Sequence, residues 1–257
     1  MTNAYKFLTL FLLSLCFQLS AAQDFKLSLE ERLIYKAKKT TKKIKVDGKL
    51  LEKDWKKAES RTLNYHYLSE KADDKQKTTF RMLWDDKTLY LFYKSEDKYL
   101  TSTEKKHDGT PFLDDCAEFF LIPVPNSLDV HFCFEINLYE AKNDIIYMND
   151  YYEDKDAVVK AFNPDYKVKV KTKGTINNNS DIDTGWTMEI AIPIDAFRGS
   201  TGLYPLKKGT QWAFLALRQE RNEPLQGRRV MSSIFPIYNI EKDVHQPNMF
   251  GLVEFVD

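Results

Sequence analysis

Cysteine is scarce in this chain. Of 257 residues three are Cys, and only Cys116 and Cys133 lie beyond the first 22 residues. Two thiols do not make a disulfide scaffold, even in an oxidising compartment. They fall on the two arms of one expected hairpin, where they form a bridge if the register sets them opposite and are otherwise small buried apolar residues. Net charge is absent as well: 38 basic residues balance 38 acidic ones, so no global field draws the protein to nucleic acid or to an anionic membrane. No apolar run reaches the roughly 20 residues that a transmembrane helix needs. The four histidines, His66, His107, His131 and His245, are scattered along the sequence, and a zinc centre would need folding to gather them. Catalytic signatures are missing too. There is no G-x-S-x-G elbow, H-E-x-x-H pair, P-loop, C-x-x-C-H haem attachment or glycine-rich dinucleotide turn.

What is present begins with an N-terminal address. Lys6, the apolar run Phe7–Leu15 and the small residues Ser20-Ala21-Ala22 read as a secretory signal peptide over residues 1–22. Cys16 invites a lipoprotein reading, but Leu15 stands where a lipobox wants a small residue. Residues 23–43, ending in KAKKTTKK, read as a Lys-rich linker or arm, so an ordered domain is expected over 44–257. The lysine run is either a solvated segment or a contact for an anionic partner. About 235 mature residues suit one β-sandwich or barrel. The aromatic load is heavy, with 14 Tyr, 17 Phe and 4 Trp, and such rings fill sandwich cores or stack on ligands.

Residues 44–50, IKVDGKL, predict a strand broken by an Asp-Gly turn, and 51–58 a helical turn with Trp55 packed inward. Thr78–Trp84 and Leu89–Tyr93 flank a short polar turn and predict a hairpin. Further strands are expected at Ala117–Ile122, His131–Leu138, Asp144–Asn149, Tyr166–Lys173, Trp186–Ile192, Gln211–Gln219, Arg229–Phe235 and Leu252–Val256, with a helical piece at Ile194–Arg198. Roughly ten short strands between turn signals imply an all-β sandwich.

The most informative stretch is 111–137, PFLDDCAEFFLIPVPNSLDVHFCFEIN. A half-buried strand should alternate apolar and polar residues, yet these two runs are almost wholly apolar apart from Glu118, Glu135, Cys116 and Asn137. The acids are either outward-facing edge residues or the lining of a polar groove on a sheet. A turn near Pro125-Asn126 permits Glu118 and Glu135 to be direct cross-strand partners, with Arg81 or Arg218 as the cation beside them. The loop 97–115, with Asp97, Glu104, Asp108, Asp114 and Asp115, offers oxygen ligands for calcium but lacks the D-x-D-x-D-G spacing, so a solvated acidic loop remains the other reading.

The order VDG then Trp55, FRMLWDDKTLYLFY, DDCAEFF, FCFEIN, GWTMEIAIP, a Gly-Thr-x-Trp strand ending in Arg218, and P-N-M-F-G-L-V-E-F resembles the family 9 carbohydrate-binding modules and their DOMON-like relatives over about residues 44–256. The resemblance implies a mostly antiparallel β-sandwich of jelly-roll type that binds sugars, often chain ends, and accompanies polysaccharide-degrading enzymes. It implies Phe112 and Phe235 as the two rings clamping a sugar, Glu118 as a hydroxyl acceptor, Glu135 and Asn137 as polar partners on the next strand, and Arg218 among the ligand-binding residues. Of the acidic loop, Asp97, Asp108 and Asp115 are the candidate calcium ligands, read from the loop's own oxygens rather than from the resemblance. Four departures stand out: Phe where family members carry Trp, Glu135 where a member carries Arg, Leu215-Ala216-Leu217-Arg218 where many read Asn-Phe-x-Arg, and Leu121-Ile122-Pro123 where many read F-L-D. Other readings remain open. A haem-binding electron-transfer module would draw axial ligands from Met82, Met148, Met231, Met249 or the histidines. A glycosidase would use Glu118 and Glu135 as its two carboxylates, and a structural envelope protein would keep only a vestigial groove.

Overall fold

The computed structural model describes residues 27–69, 75–125, 130–148, 158–201, 206–221 and 230–257. The expected signal peptide and Cys16 lie outside these residues. Arg32–Asp257 forms one compact unit, and among its described residues 14 strands form a single sheet. They are β1 (Ile34–Lys39), β2 (Arg61–Thr62), β3 (Tyr65–Tyr67), β4 (Thr78–Trp84), β5 (Thr88–Glu96), β6 (Cys116–Ile122), β7 (His131–Asn137), β8 (Lys142–Tyr147), β9 (Val158–Val159), β10 (Lys167–Lys173), β11 (Gly185–Pro193), β12 (Gln211–Glu220), β13 (Val230–Ser233) and β14 (Gly251–Val256). The sheet runs β10-β11-β5-β4-β1-β14-β12-β6-β7-β8-β9 and curls on itself as a β-sandwich.

One layer is β10-β11-β5-β4 and the other β12-β6-β7-β8, with β1 and β14 carrying the sheet from one to the other. Alternation decides which side chains meet between the layers. Phe80 of β4 lies 6.3 Å from Phe119 of β6 and 6.0 Å from Phe214 of β12. Tyr93 of β5 reaches across, its hydroxyl donating to the Glu118 carbonyl at 2.8 Å. Such buried aromatic packing, at about 1.5–3 kcal/mol per fully buried apolar side chain, supplies most of the force that closes the sandwich.

The segment 23–43, read as a linker or arm, contains β1. This strand pairs in parallel with β14, Tyr35 opposite Val253, and with β4, Lys38 opposite Leu83. Only Tyr35 and Ala37 turn inward, while Lys36 and Lys38 face out. Two buried residues are too few to register as a periodic pattern in so charged a run. Tyr35 fixes the strand: its hydroxyl accepts from Met82 N at 2.8 Å and donates to the Glu59 carbonyl. Residues 44–50 also depart from expectation, forming a turn and extended chain without a ladder. Trp55, in a 3-10 turn over Lys53–Lys56, is fully buried as expected.

Candidate functional site

The strand parity of the second layer sorts its side chains into two sets. Phe119, Phe134 and Phe214 face the core, and Glu118 and Glu135 face the other way. Glu118 is the direct antiparallel partner of Glu135, and Glu135 is in turn opposite Asn143 of β8. The amide of Asn143 donates to Glu135 Oε2 at 2.7 Å. Both acids are nearly buried, at 2 % and 4 % exposure. Two carboxylates across one ladder repel unless something offsets them, so this arrangement is costly for a purely structural sheet.

The same outer face carries an aromatic and imidazole cluster that the sequence did not announce. His131 opposes Tyr147 at the far end of β7 and β8, and its Nε2 lies 2.9 Å from Nδ1 of His245. Phe120 stacks on His245 at 4.7 Å, and the Tyr147 and His245 rings are 4.1 Å apart. Burial, and then the neighbouring His245, holds the His131 imidazole well below its ordinary pKa. The pair joins residues 114 positions apart, a distance no local pattern reveals.

Cys116 and Cys133 also lie on this face, but Cys116 pairs with Asn137 and Cys133 with Phe120. An offset of four residues along the strands separates them by about 13 Å, far beyond disulfide reach. Both thiols are free and buried. Burial, and then the Glu118 and Glu135 charges, push both thiols up, so neither is primed as a nucleophile.

Phe112 sits in the 3-10 turn Pro111–Leu113, which packs against β6 and β7, the strands that bear the two glutamates. Its ring is half-buried. Arg221 holds the turn from behind, donating from Nε to the Leu113 carbonyl at 2.8 Å and from Nη2 to the Phe112 carbonyl at 3.0 Å.

The other residues expected at the site are sealed in the core or committed to partners within the fold. Phe235 is 1 % exposed and meets Phe214 edge-on at 5.1 Å, with its ring against Gly251. Phe214 belongs to the inner set, so Phe235 is a core ring with no face open for stacking. Gly251 is required here, because a Cβ would come within 2.4 Å of that ring. Asn137 has no hydrogen-bonding capacity left. Its amide donates to the Glu104 carbonyl at 2.8 Å and Asp114 Oδ2 at 2.7 Å, and its oxygen accepts from Tyr139 N and Ala141 N at 3.0 and 2.9 Å. It braces the acidic loop against β7.

Arg218 does not stand beside the glutamates. The register puts Leu217 opposite Glu118 and Arg218 opposite Ala117, so the guanidinium points to the inner face. There it pairs with Asp97 at 2.8 Å and Glu220 at 3.4 Å, and donates to Thr78 Oγ1 and the Glu96 carbonyl. Trp186 completes the group, its indole donating to Asp97 Oδ2 at 3.1 Å. Arg81 is on β4, in the first layer, opposite Phe92. Neither arginine is the expected counter-cation of Glu118 and Glu135.

The acids expected as calcium ligands are likewise divided. Asp115 accepts backbone N–H groups at both oxygens, from Thr101 at 2.6 Å and Arg221 at 2.6 Å. Asp97 is committed to Arg218, Trp186 and Tyr99 N. Asp108 lies with His107 and Asp144 instead. Asp97, Asp108 and Asp115 therefore do not fit a shared calcium centre.

A further buried acid lies on the outer face of the first layer. Glu189 of β11 accepts from Asp47 N at 2.8 Å and Gly48 N at 2.9 Å with one oxygen, and from the Trp55 indole at 3.0 Å with the other. Gly48 has φ +75° and its missing Cβ leaves room against Lys171. The VDG turn and Trp55 are thus bound to GWTMEIAIP by one carboxylate. A lone acid in that apolar strand was the available signal.

Solved structures with this fold include a family 9 carbohydrate-binding module of Caldicellulosiruptor kristjanssonii in complex with cellotriose, 16 % identical, with a TM-score of 0.59 over 87 % of this chain and 94 % of that one. The same organism's family 9 module in complex with glucose is 17 % identical, with a TM-score of 0.57 over 86 % and 95 %. A protein of Bacteroides uniformis superposes with a TM-score of 0.66 at 17 % identity, over 86 % of this chain and 98 % of its own. No curated protein matches the chain. The family model for the carbohydrate family 9 binding domain-like proteins matches residues 46–257, and the chain belongs to that family.

Proposed function

We propose that the protein is an exported, non-catalytic carbohydrate-binding module whose sugar site is the outer face of the second layer. The observation that carries this reading is the Glu118–Glu135 pair, two carboxylates face to face on strands that are otherwise mostly apolar. Both acids are nearly buried, so a sugar must displace part of their cover before the carboxylates accept its hydroxyls through charge-assisted hydrogen bonds, while the half-buried Phe112 ring at the end of the same strands offers an apolar face to sugar C–H groups. The clamp then has one ring from the 111–113 turn, since Phe235 is a core residue. The complexes of the Caldicellulosiruptor module with cellotriose and glucose support a gluco-configured ligand as the first to try. Polysaccharide catabolism is the corresponding role, the module holding a glycan for enzymes that cleave it.

A glycan array probed with the mature protein, with and without chelator, tests the reading. Binding above background to a defined glycan, without release of reducing sugar, is expected. Release of reducing sugar would convert the reading to a glycosidase, and silence across the array would contradict it. For export, the expected mature N-terminus is Gln23, checked by intact-mass analysis, and a diacylglyceryl group on Cys16 would overturn that part.

A further inference from the structure

Away from the Glu118–Glu135 face, the fold brings a histidine and two aspartates together. His107 Nε2 lies 3.4 Å from Asp144 Oδ2, and His107 Nδ1 lies 3.5 Å from Asp108 Oδ2. One ligand atom from each of the three lies within 4.8 Å of the other two, the one such group among the described residues. Two elements supply them: His107 and Asp108 stand in the loop between β5 and β6, and Asp144 on β8. Asp108 holds a left-handed backbone, φ 56°, and its N–H donates to the Lys142 carbonyl at 2.8 Å, so the loop is already seated on β8.

Asp144 gives the independent sign of a ligand. The residue is fully buried, its Oδ1 accepts from the Tyr166 hydroxyl at 2.7 Å, and its Oδ2, the oxygen nearest His107, has no hydrogen-bond partner. A buried carboxylate oxygen without a hydrogen bond is destabilising. The nearby Lys142 ammonium is turned onto the Tyr166 ring at 4.0 Å and donates to the Tyr166 carbonyl at 2.7 Å.

We propose that His107, Asp108 and Asp144 form a zinc site that fastens the 97–115 loop to β8. Zinc takes imidazole nitrogen and carboxylate oxygen at about 2.0–2.2 Å in tetrahedral geometry, which sets ligand atoms about 3.3–3.6 Å apart; the His107–Asp144 spacing of 3.4 Å matches that edge. Calcium wants six to eight oxygens, which this group does not offer. The exposed Asp108 carboxylate turns to the ion as the third ligand, and water takes the fourth place. The ion neutralises the Asp144 oxygen, which has no hydrogen bond, and holds the loop that leads into Phe112. The proposal stands apart from the sugar-binding reading, since neither needs the other.

Zinc titration of the full mature chain, followed by calorimetry and by the visible absorption of a cobalt(II) substitute, tests it. One equivalent of zinc and a tetrahedral cobalt band are expected. His107→Ala, at a half-exposed position where thermal melting should match the wild type, should weaken zinc at least 10-fold and abolish the band, while His66→Ala should change neither. Asp144→Asn should behave as His107→Ala wherever it folds. Equal zinc affinity in wild type and His107→Ala, no zinc binding at all, or calcium binding in place of zinc would each overturn the proposal.

Discussion

The outer faces of the two layers each bury carboxylates, and they do so in different ways. On the first layer, Glu189 is filled by its own chain: two backbone amides and an indole converge on it, and the VDG turn and Trp55 are packed down as a result. On the second layer, Glu118 and Glu135 face each other across the ladder. Between the layers, Asp97 and Arg218 form a third arrangement, an ion pair sealed in the core. An acid inside an apolar strand is therefore ambiguous on its own. Its neighbours decide whether it builds the fold or meets a ligand, and mutations at the three places should separate stability from binding.

The largest effect is expected at the core pair. Arg218→Met leaves Asp97 buried without its cation, which costs about 3–5 kcal/mol. Chemical denaturation should show that loss, and glycan affinity measured on the remaining folded protein should be unchanged.

Next is Glu189→Gln, whose single acceptor oxygen cannot serve both the VDG turn and the Trp55 indole, and it should cost about 1–3 kcal/mol. Its pH dependence has a defined sign. Burial raises the Glu189 carboxyl from 4.5 to about 6, offset in part by the donors from Asp47, Trp55 and Gly48. The folded state therefore holds this proton where the unfolded chain has released it. Stability from this group is complete below 4.5 and is lost as pH rises through about 6. Urea melts should show the wild type's advantage over Glu189→Gln widest near the lower value and narrowest at pH 7. A gap that widens with pH would contradict the account.

The smallest effect lies at the rim. Phe112→Ala should weaken glycan binding by about 1–2 kcal/mol, by analogy with aromatic pair energies, with little change in melting temperature. A core Phe→Ala costs about 3–5 kcal/mol of stability instead, the result expected for Phe235→Ala. If Phe112→Ala behaves like Phe235→Ala, the turn residue is core and the second layer loses its stacking ring.

The hairpin carrying Glu118 and Glu135 was legible because two apolar runs of similar length flank a clear turn, which leaves few registers. The strand pattern elsewhere was legible for the same local reason, as at Thr78–Trp84. What could not be read depends on partners far along the chain. β1 buries two residues, and its pairing with β14 joins the two ends of the domain. Phe235 and Arg218 were placed at the site by resemblance, yet parity sends Arg218 to the inner face and packing seals Phe235 against Phe214. Asn137 looked available because a side-chain amide in sequence shows no partners, whereas the fold supplies all four. His131 and His245, and likewise Asp108 and Asp144, meet only once the sheet has curled.

The most direct test is titration of a glycan identified on the array into the wild type and into Glu118→Gln, with melting temperature measured on both. Loss of a charged acceptor should weaken binding by about 1.5–3 kcal/mol, roughly 10- to 150-fold, while the fold is kept. Unchanged affinity in a folded Glu118→Gln protein would contradict the placement of the sugar site on this face.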